Sequence, residues 1–202
     1  MSRDSLVSMN VMSECLKNFR SGSSVFIQGG CPQTLRWFVM RVTYSRELRA
    51  QALFRNEGVE CYVPMRRECT DSGVSVVPAI HNLLFVRSNH SFLNDWKQKN
   101  EGICPVRYAI DKSTGSPMTV RDKQMEDFIR VTEASDALYL DNPDVIIEKG
   151  TDVEVCAGPY KGLVGRLIRI RRDRKVVVGI PGLMAAAVSG IPLDWLRLVR
   201  QS

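Results

Sequence analysis

Residues able to do chemistry are few and scattered in this sequence. Histidine occurs only at His81 and His90, and the six cysteines lie at positions 15, 31, 61, 69, 104 and 156. They form no CxxC or HxxxH pair, which are the spacings typical of zinc sites. Neither a glycine-rich phosphate loop nor a nucleophile–base motif is present. The sequence therefore predicts a protein that is not an enzyme and that needs no metal or other cofactor.

Basic residues are the stronger chemical signal. The chain holds 28 Lys and Arg against 22 Asp and Glu, a net charge of +6. Residues 146–202 carry ten bases against five acids, so nearly all of this excess lies there. The charge permits a polyanion such as nucleic acid as a partner without requiring one. No aromatic residue interleaves the bases of 166–175, which disfavours an RNA platform there.

The elements that must position these residues fall into two groups. From Trp37 to Ala134 the order of patterns is strand, helix, strands, helix, strand, helix. This order predicts an α+β sandwich of the ferredoxin type, with helices on one face of an antiparallel sheet. Ser45 is expected to cap the first helix, and Gly58 to follow its end. From Gly150 onward, five short strands predict a small β-barrel.

Shifts in pattern divide the 202 residues into four segments. Residues 1–34 are an N-terminal extension expected to be flexible, 35–134 a first domain, 135–148 a linker and 149–202 a second domain. Residues 176–193 lack charge over a length that would suit a membrane helix, but their glycines and prolines indicate strands and turns. Without a recognisable signal peptide, unpaired cysteines favour a reducing, cytoplasmic location.

Spaced glycines and valines mark the second domain. The pattern is Gly150-x-x-Val153-x-Val155-x-x-Gly158-Pro159-Tyr160-x-Gly162-x-x-Gly165-x-Leu167-x-x-Ile170. Tight turns with positive φ, or positions without room for a Cβ atom, require such glycines. The pattern resembles a KOW domain, the SH3-like barrel of NusG-type transcription factors and some ribosomal proteins.

Four segments of the first domain resemble the NusG N-terminal domain in their order. They are Trp37-Phe38-Val39, Glu60-Cys61-Tyr62-Val63-Pro64-Met65, Asn82-Leu83-Leu84-Phe85-Val86 and Ser116-Pro117-Met118-Thr119-Val120. General NusG proteins carry Phe-Pro-Gly-Tyr where this chain reads Ile80-His81-Asn82-Leu83. That departure resembles specialised paralogs, namely RfaH and, more closely, the UpxY factors of capsular polysaccharide operons.

The resemblance implies an operon-specific elongation and antitermination factor of capsular or surface polysaccharide operons. Such a factor binds the clamp helices of the largest RNA polymerase subunit and raises processivity. Leu83 and Phe85 would line its apolar pocket, with Arg41 and Tyr108 as neighbours, and the alternative for each is plain core packing. Trp37 is expected to be a core residue.

Two further sets of residues follow from the resemblance. Arg46 and Arg49 share a face of the first helix, where specialised paralogs contact the non-template DNA strand. The alternative is a solvated helix face. Tyr160 and Lys161 would form the contact edge of the KOW domain, toward Rho or a small-subunit ribosomal protein.

Other functions remain open at this point. The chain could be the general NusG factor, or a ribosome-associated KOW protein that binds RNA. The UpxY resemblance adds a co-encoded inhibitor to the implied partners, and the expected state is a monomer without membrane contact. Val176-Val177-Val178 favours strands, so we expect a stable barrel rather than the helical form known for the RfaH domain.

Overall fold

A continuous apolar run places strand β1 in the middle of a first antiparallel sheet. The computed structural model describes residues 34–71, 73–134, 137–140, 150–170 and 173–199. The sheet has the order β2-β5-β1-β6, and β7 pairs with β1 as well. The bounds are β1 (Arg36–Val42), β2 (Glu60–Tyr62), β5 (Leu83–Ser88), β6 (Val106–Tyr108) and β7 (Thr119–Val120).

Both faces of this sheet are buried. Trp37 and Val39 point to one face and Phe38 and Met40 to the other, because successive residues of a strand alternate. Helices α1 (Glu47–Asn56) and α2 (His90–Asn100) cover the Phe38 face, and α3 (Asp122–Thr132) covers the Trp37 face. The prediction that all helices share one face is therefore wrong for α3. A strand that is apolar on both faces needs a cover on each.

A separate two-stranded ribbon extends from the chain between β2 and β5. It consists of β3 (Met65–Thr70) and β4 (Gly73–Pro78), which pair antiparallel with each other and with no other described strand. The sequence predicted β4 but not β3. Val74 and Val76 are exposed on this ribbon.

The second sheet contains the five strands predicted after Gly150 and one more. Its order is β13-β9-β10-β11-β12-β8. The bounds are β8 (Leu138–Leu140), β9 (Thr151–Val155), β10 (Val164–Ile170), β11 (Asp173–Ile180), β12 (Met184–Val188) and β13 (Leu196–Leu198). Strand β8 falls within residues 135–148, for which the sequence predicts a linker. The described strands pair in an open order, so barrel closure and the KOW assignment stay predictions.

One hydrophobic core joins the two sheets. Helix α3 lies between them, and its Phe128 and Met125 belong to the same buried cluster as Phe85 of the first sheet and Val155 and Val178 of the second. Residues 34–202 accordingly form one compact unit. The sequence divided this region into two domains and did not predict that they share a core.

Gly158 shows why the glycine pattern of the second sheet is needed. Its φ is +76°, and a Cβ atom there would overlap the Trp195 ring.

Among the described residues no helix is long and apolar enough to cross a membrane. The predicted extension 1–34, apart from Thr34, and linker residues 141–148 lie outside the described residues.

Candidate binding surfaces

Leu83 and Phe85 lie on the face of the first sheet that α3 covers. In the register Leu83 stands opposite Arg41 and Phe85 opposite Val39, so their side chains share a face. Both residues are 0% exposed, and the Phe85 and Phe128 ring centroids are 5.9 Å apart. In this arrangement both residues are therefore part of the hydrophobic core. Their role in polymerase binding stays a prediction.

Three polar residues of α3, which we call the α3 polar cluster, hold the second sheet. Lys123, Asp127 and Arg130 are spaced i, i+4, i+7 and so share one side of the helix. Lys123 Nζ donates to the carbonyl oxygen of Gly162 at 2.9 Å and to Asp127 Oδ1 at 2.8 Å. Asp127 Oδ2 in turn accepts from the Val164 backbone N–H at 3.3 Å. The cluster thereby fixes the turn that precedes β10.

Arg130 holds the same turn one helical turn further along α3. Its Nη2 atom donates to the carbonyl oxygen of Pro159 at 2.8 Å and to that of Lys161 at 3.2 Å. Tyr160 is half-buried and packs against the shared core, whereas the Lys161 side chain is exposed. The predicted contact edge of the second domain thus faces α3. Its role toward a third protein stays a prediction.

Arg41 and Tyr108 are not neighbours of one pocket. Arg41 is exposed and lies on the Leu83 face, but Tyr108 stands opposite Met40 and points to the other face. The Tyr108 hydroxyl donates to Asn94 Oδ1 at 3.1 Å, and burial raises the pKa of this tyrosine. The structure therefore brings Arg41 toward Leu83 and Phe85 and separates Tyr108 from them.

Arg46 and Arg49 lie where α1 begins, at the C-terminal end of β1. The N-cap residue is Arg46 rather than Ser45, which is a correction. Ser45 instead has a φ of 52°, and its backbone N–H donates to Asn82 Oδ1 at 2.8 Å. Arg46 Nη1 donates to the Ile103 carbonyl oxygen at 3.4 Å, and Arg49 is exposed.

Tyr44 is a surface residue that sequence reasoning missed. It is 82% exposed and has a φ of 58°. The Arg46 Cζ atom lies 5.5 Å from the centroid of its ring. A tyrosine between a strand and a helix was visible in the sequence, but neither its exposure nor its backbone conformation can be read from residue type.

A buried carboxylate lies beneath this loop. Glu47 is 1% exposed, and its Oε1 atom lies 3.7 Å from Nδ1 of the exposed His81. Neither carboxylate oxygen has a hydrogen-bond partner among the described residues. No group of three metal-binding side chains occurs in the part of the chain that the structure describes.

Comparisons with known proteins identify the first domain. Residues 35–129 match the model of the NusG family, described as transcription termination factor nusG. A solved structure concerned with domain interaction in Thermotoga maritima NusG is similar at a TM-score of 0.44 and 15% identity. That similarity covers 83% of this chain and 98% of the other. No curated protein matches the chain. The NusG resemblance is confirmed for the first domain, and the UpxY or RfaH subclass is not.

Proposed function

We propose that this protein is a NusG-type transcription elongation factor that binds RNA polymerase. The match of residues 35–129 to the NusG family carries this proposal. Its partner is the pair of clamp helices on the largest polymerase subunit, and its contact surface is the sheet face of Leu83 and Phe85. An apolar face that accepts a helix is a common mode of recognition, and no bond is made or broken.

Polymerase binding through this face requires its present cover to open. Leu83 and Phe85 have no exposed surface while α3 and the second sheet lie over them. A partner helix that buries the same side chains would replace apolar contacts with apolar contacts, so the net cost of exchange is limited. Separation of the second sheet from α3, the first step of such an opening, breaks the bonds from Lys123, Gln124, Asp127 and Arg130 to the second sheet, each worth about 1–3 kcal/mol.

Opening would also release the second predicted interface. The turn of Tyr160 and Lys161 faces α3 through the bonds of Arg130. A single movement would therefore make both the polymerase face and this turn available. In the proposal the turn then recruits a third protein, such as Rho or a small-subunit ribosomal protein, and a co-encoded inhibitor is a further partner.

The specialised, operon-specific subclass is the finer part of the proposal. Asn82 occupies the position of glycine in the Phe-Pro-Gly-Tyr segment of general NusG proteins, and it has a φ of 62°. Asparagine is one of the few other residues that adopt this conformation readily. The loop shape is thus compatible with the family while its side chains differ, which supports a factor specialised for capsular or surface polysaccharide operons. The general NusG factor is the alternative.

A polymerase pull-down with matched variants tests the proposal. Phe85→Ala removes a ring from the proposed contact face, whereas Leu84→Ala removes an equally buried side chain of the same strand from the opposite face. Both should cost roughly 2–5 kcal/mol of stability. Thermal melts select conditions in which both variants remain folded.

The two variants should then differ in binding. We expect the wild type and Leu84→Ala to retain polymerase and Phe85→Ala to lose it. A wild type that fails to bind polymerase at low salt contradicts the proposal. Equal binding by folded Phe85→Ala and Leu84→Ala contradicts the assigned face.

A further inference from the structure

A cavity, here called the β10–β11 cavity, lies on the second sheet where β10 ends and β11 begins. Its volume is about 450 Å³, and it opens to solvent. The residues that line it are Arg169, Asp173, Arg174, Ile191 and Leu193. Binding sites for small molecules have volumes of roughly 300–1,000 Å³. The cavity is therefore large enough for a small organic ligand.

Two of the lining residues are arginines that stand directly opposite each other. Arg169 of β10 pairs with Arg174 of β11 in the register of the sheet. Like charges in this position destabilise a sheet. Neither guanidinium makes a hydrogen bond or an ion pair within the described part of the chain. Asp173 is the one acid among the described lining residues, so the lining keeps a net positive charge. The arginine pair therefore favours an anion that both side chains contact.

Apolar side chains complete the wall of the cavity. The arginine pair shares a sheet face with Val176, because side chains of a strand alternate and Val176 lies two residues after Arg174. Val176 is buried in the core that joins the two sheets, and Ile191 packs against the same cluster. Leu193 is 46% exposed. The cavity thus places two cations beside apolar surface, which suits an anionic group attached to an apolar one.

We propose that the β10–β11 cavity binds the phosphate monoester of a small organic molecule. The phosphate lies between the guanidinium groups of Arg169 and Arg174, whose paired N–H donors match phosphate oxygens. The remainder of the ligand packs against Ile191 and Leu193. A nucleoside monophosphate and a sugar phosphate both carry this phosphate. The apolar wall favours the nucleotide, because the face of its base is apolar.

Charge distinguishes this ligand from a nucleic-acid strand. A phosphate monoester carries a charge of about −1.5 to −2 at pH 7, whereas each phosphate within a strand is a diester with a single charge. No aromatic side chain lines the cavity among the described residues, so unpaired bases find no ring to stack on. Two opposed arginines at one site therefore favour a small dianion over an extended strand.

Isothermal titration calorimetry with the full chain tests the proposal. The probes are uridine monophosphate, ribose 5-phosphate and inorganic phosphate, titrated at low salt. We expect uridine monophosphate to bind with a Kd below about 1 mM. Arg169→Ala and Arg174→Ala should each weaken this binding at least about tenfold, because each removes charge-assisted hydrogen bonds. Lys175→Ala, which removes the same charge from the next position of β11 outside the cavity, is the matched control.

The apolar wall and the source of the ligand are tested with a second pair of variants. Leu193→Ala should weaken binding of uridine monophosphate about threefold and leave binding of inorganic phosphate unchanged. Leu198→Ala, at an exposed leucine outside the cavity, is its control. Tighter binding of uridine monophosphate than of ribose 5-phosphate supports a nucleotide as the ligand. Equal affinity for the two supports a sugar phosphate.

Three results would overturn the proposal. The first is a Kd above about 1 mM for both organic phosphates. The second is an equal loss of binding in Lys175→Ala and in the two arginine variants, which would indicate general charge attraction. The third is displacement of uridine monophosphate by a lower concentration of a short oligouridylate without a terminal phosphate, which would indicate a nucleic-acid site. Folded Arg174→Ala should still retain polymerase in a pull-down, so this proposal and the proposed function fail separately.

Discussion

The two ends of strand β1 differ in exposure: one is buried and the other is open to solvent. Near its N-terminal end Trp37 and Val39 lie under α3 with Phe85, in a core shared by both sheets. At its C-terminal end the strand runs through the exposed Arg41 into a loop that holds Tyr44 in solvent. In the described arrangement the covered end is buried, whereas the open end is accessible to solvent.

The difference shows that residue type alone does not determine accessibility, which depends on how the elements pack. Apolar residues of β1 and β5 predict a buried face, but which layer buries it depends on contacts distant in sequence. The covered end is apolar and should respond little to salt, whereas the arginines of the open end should respond strongly.

Weakening the contacts between α3 and the second sheet is expected to have the largest effect. Replacing Lys123 and Arg130 together with alanine removes the side-chain bonds from α3 to the turn at 159–162. The free energy of unfolding should fall by roughly 2–4 kcal/mol, measured by chemical denaturation, and polymerase binding should tighten. Arg121→Ala, at the exposed N-cap residue of α3, is the control. Weaker polymerase binding by a folded double variant would argue against opening as the limiting step.

Relieving the strained loop should have a smaller effect of opposite sign. Tyr44→Asn places a residue that tolerates left-handed backbone at φ 58°. We expect thermal melts to show a gain of about 1 kcal/mol. Ser88→Asn, in the extended strand β5, should show no such gain. A loss of stability in Tyr44→Asn would mean that the ring supports the fold by more than the strain costs.

The smallest effect is expected for Tyr139, which is half-buried, and only at high pH. The Tyr139 hydroxyl donates to the Met65 carbonyl oxygen at 2.9 Å. Burial raises the pKa of Tyr139 to about 12, although a hydrogen bond with Thr132 acts in the opposite direction. Because the folded state favours the protonated form, its stability contribution is complete below the ordinary pKa near 10 and is lost as the pH rises toward 12.

Denaturation at several pH values checks this effect. The difference in unfolding free energy between the wild type and Tyr139→Phe should shrink from pH 10 upward. Tyr44→Phe, which changes an exposed tyrosine in the same way, is the control. A constant difference for Tyr139→Phe would mean that its hydroxyl does not titrate with unfolding.

The sequence predicted the helices and strands better than it predicted which elements cover each face of a sheet. Apolar runs located β1, β5 and the strands of the second sheet, because burial of a strand is visible in its composition. Strand β8 was not predicted because the turn residues Asp141-Asn142-Pro143-Asp144 that follow it indicate a linker. The face of Tyr108 was not predictable either, since a one-residue change in the register of β6 would reverse it. Tyr44 escaped notice because tyrosine does not mark a left-handed turn.

The acceptors of the contacts between α3 and the second sheet carry an evolutionary consequence. Lys123, Gln124 and Arg130 all donate to main-chain carbonyl oxygens, those of Gly162, Gly179, Pro159 and Lys161. Every amino acid presents the same oxygen atom, so substitutions in the second sheet leave these acceptors in place. Its outer side chains can therefore be substituted without loss of these contacts, whereas substitution of the donors on α3 removes them.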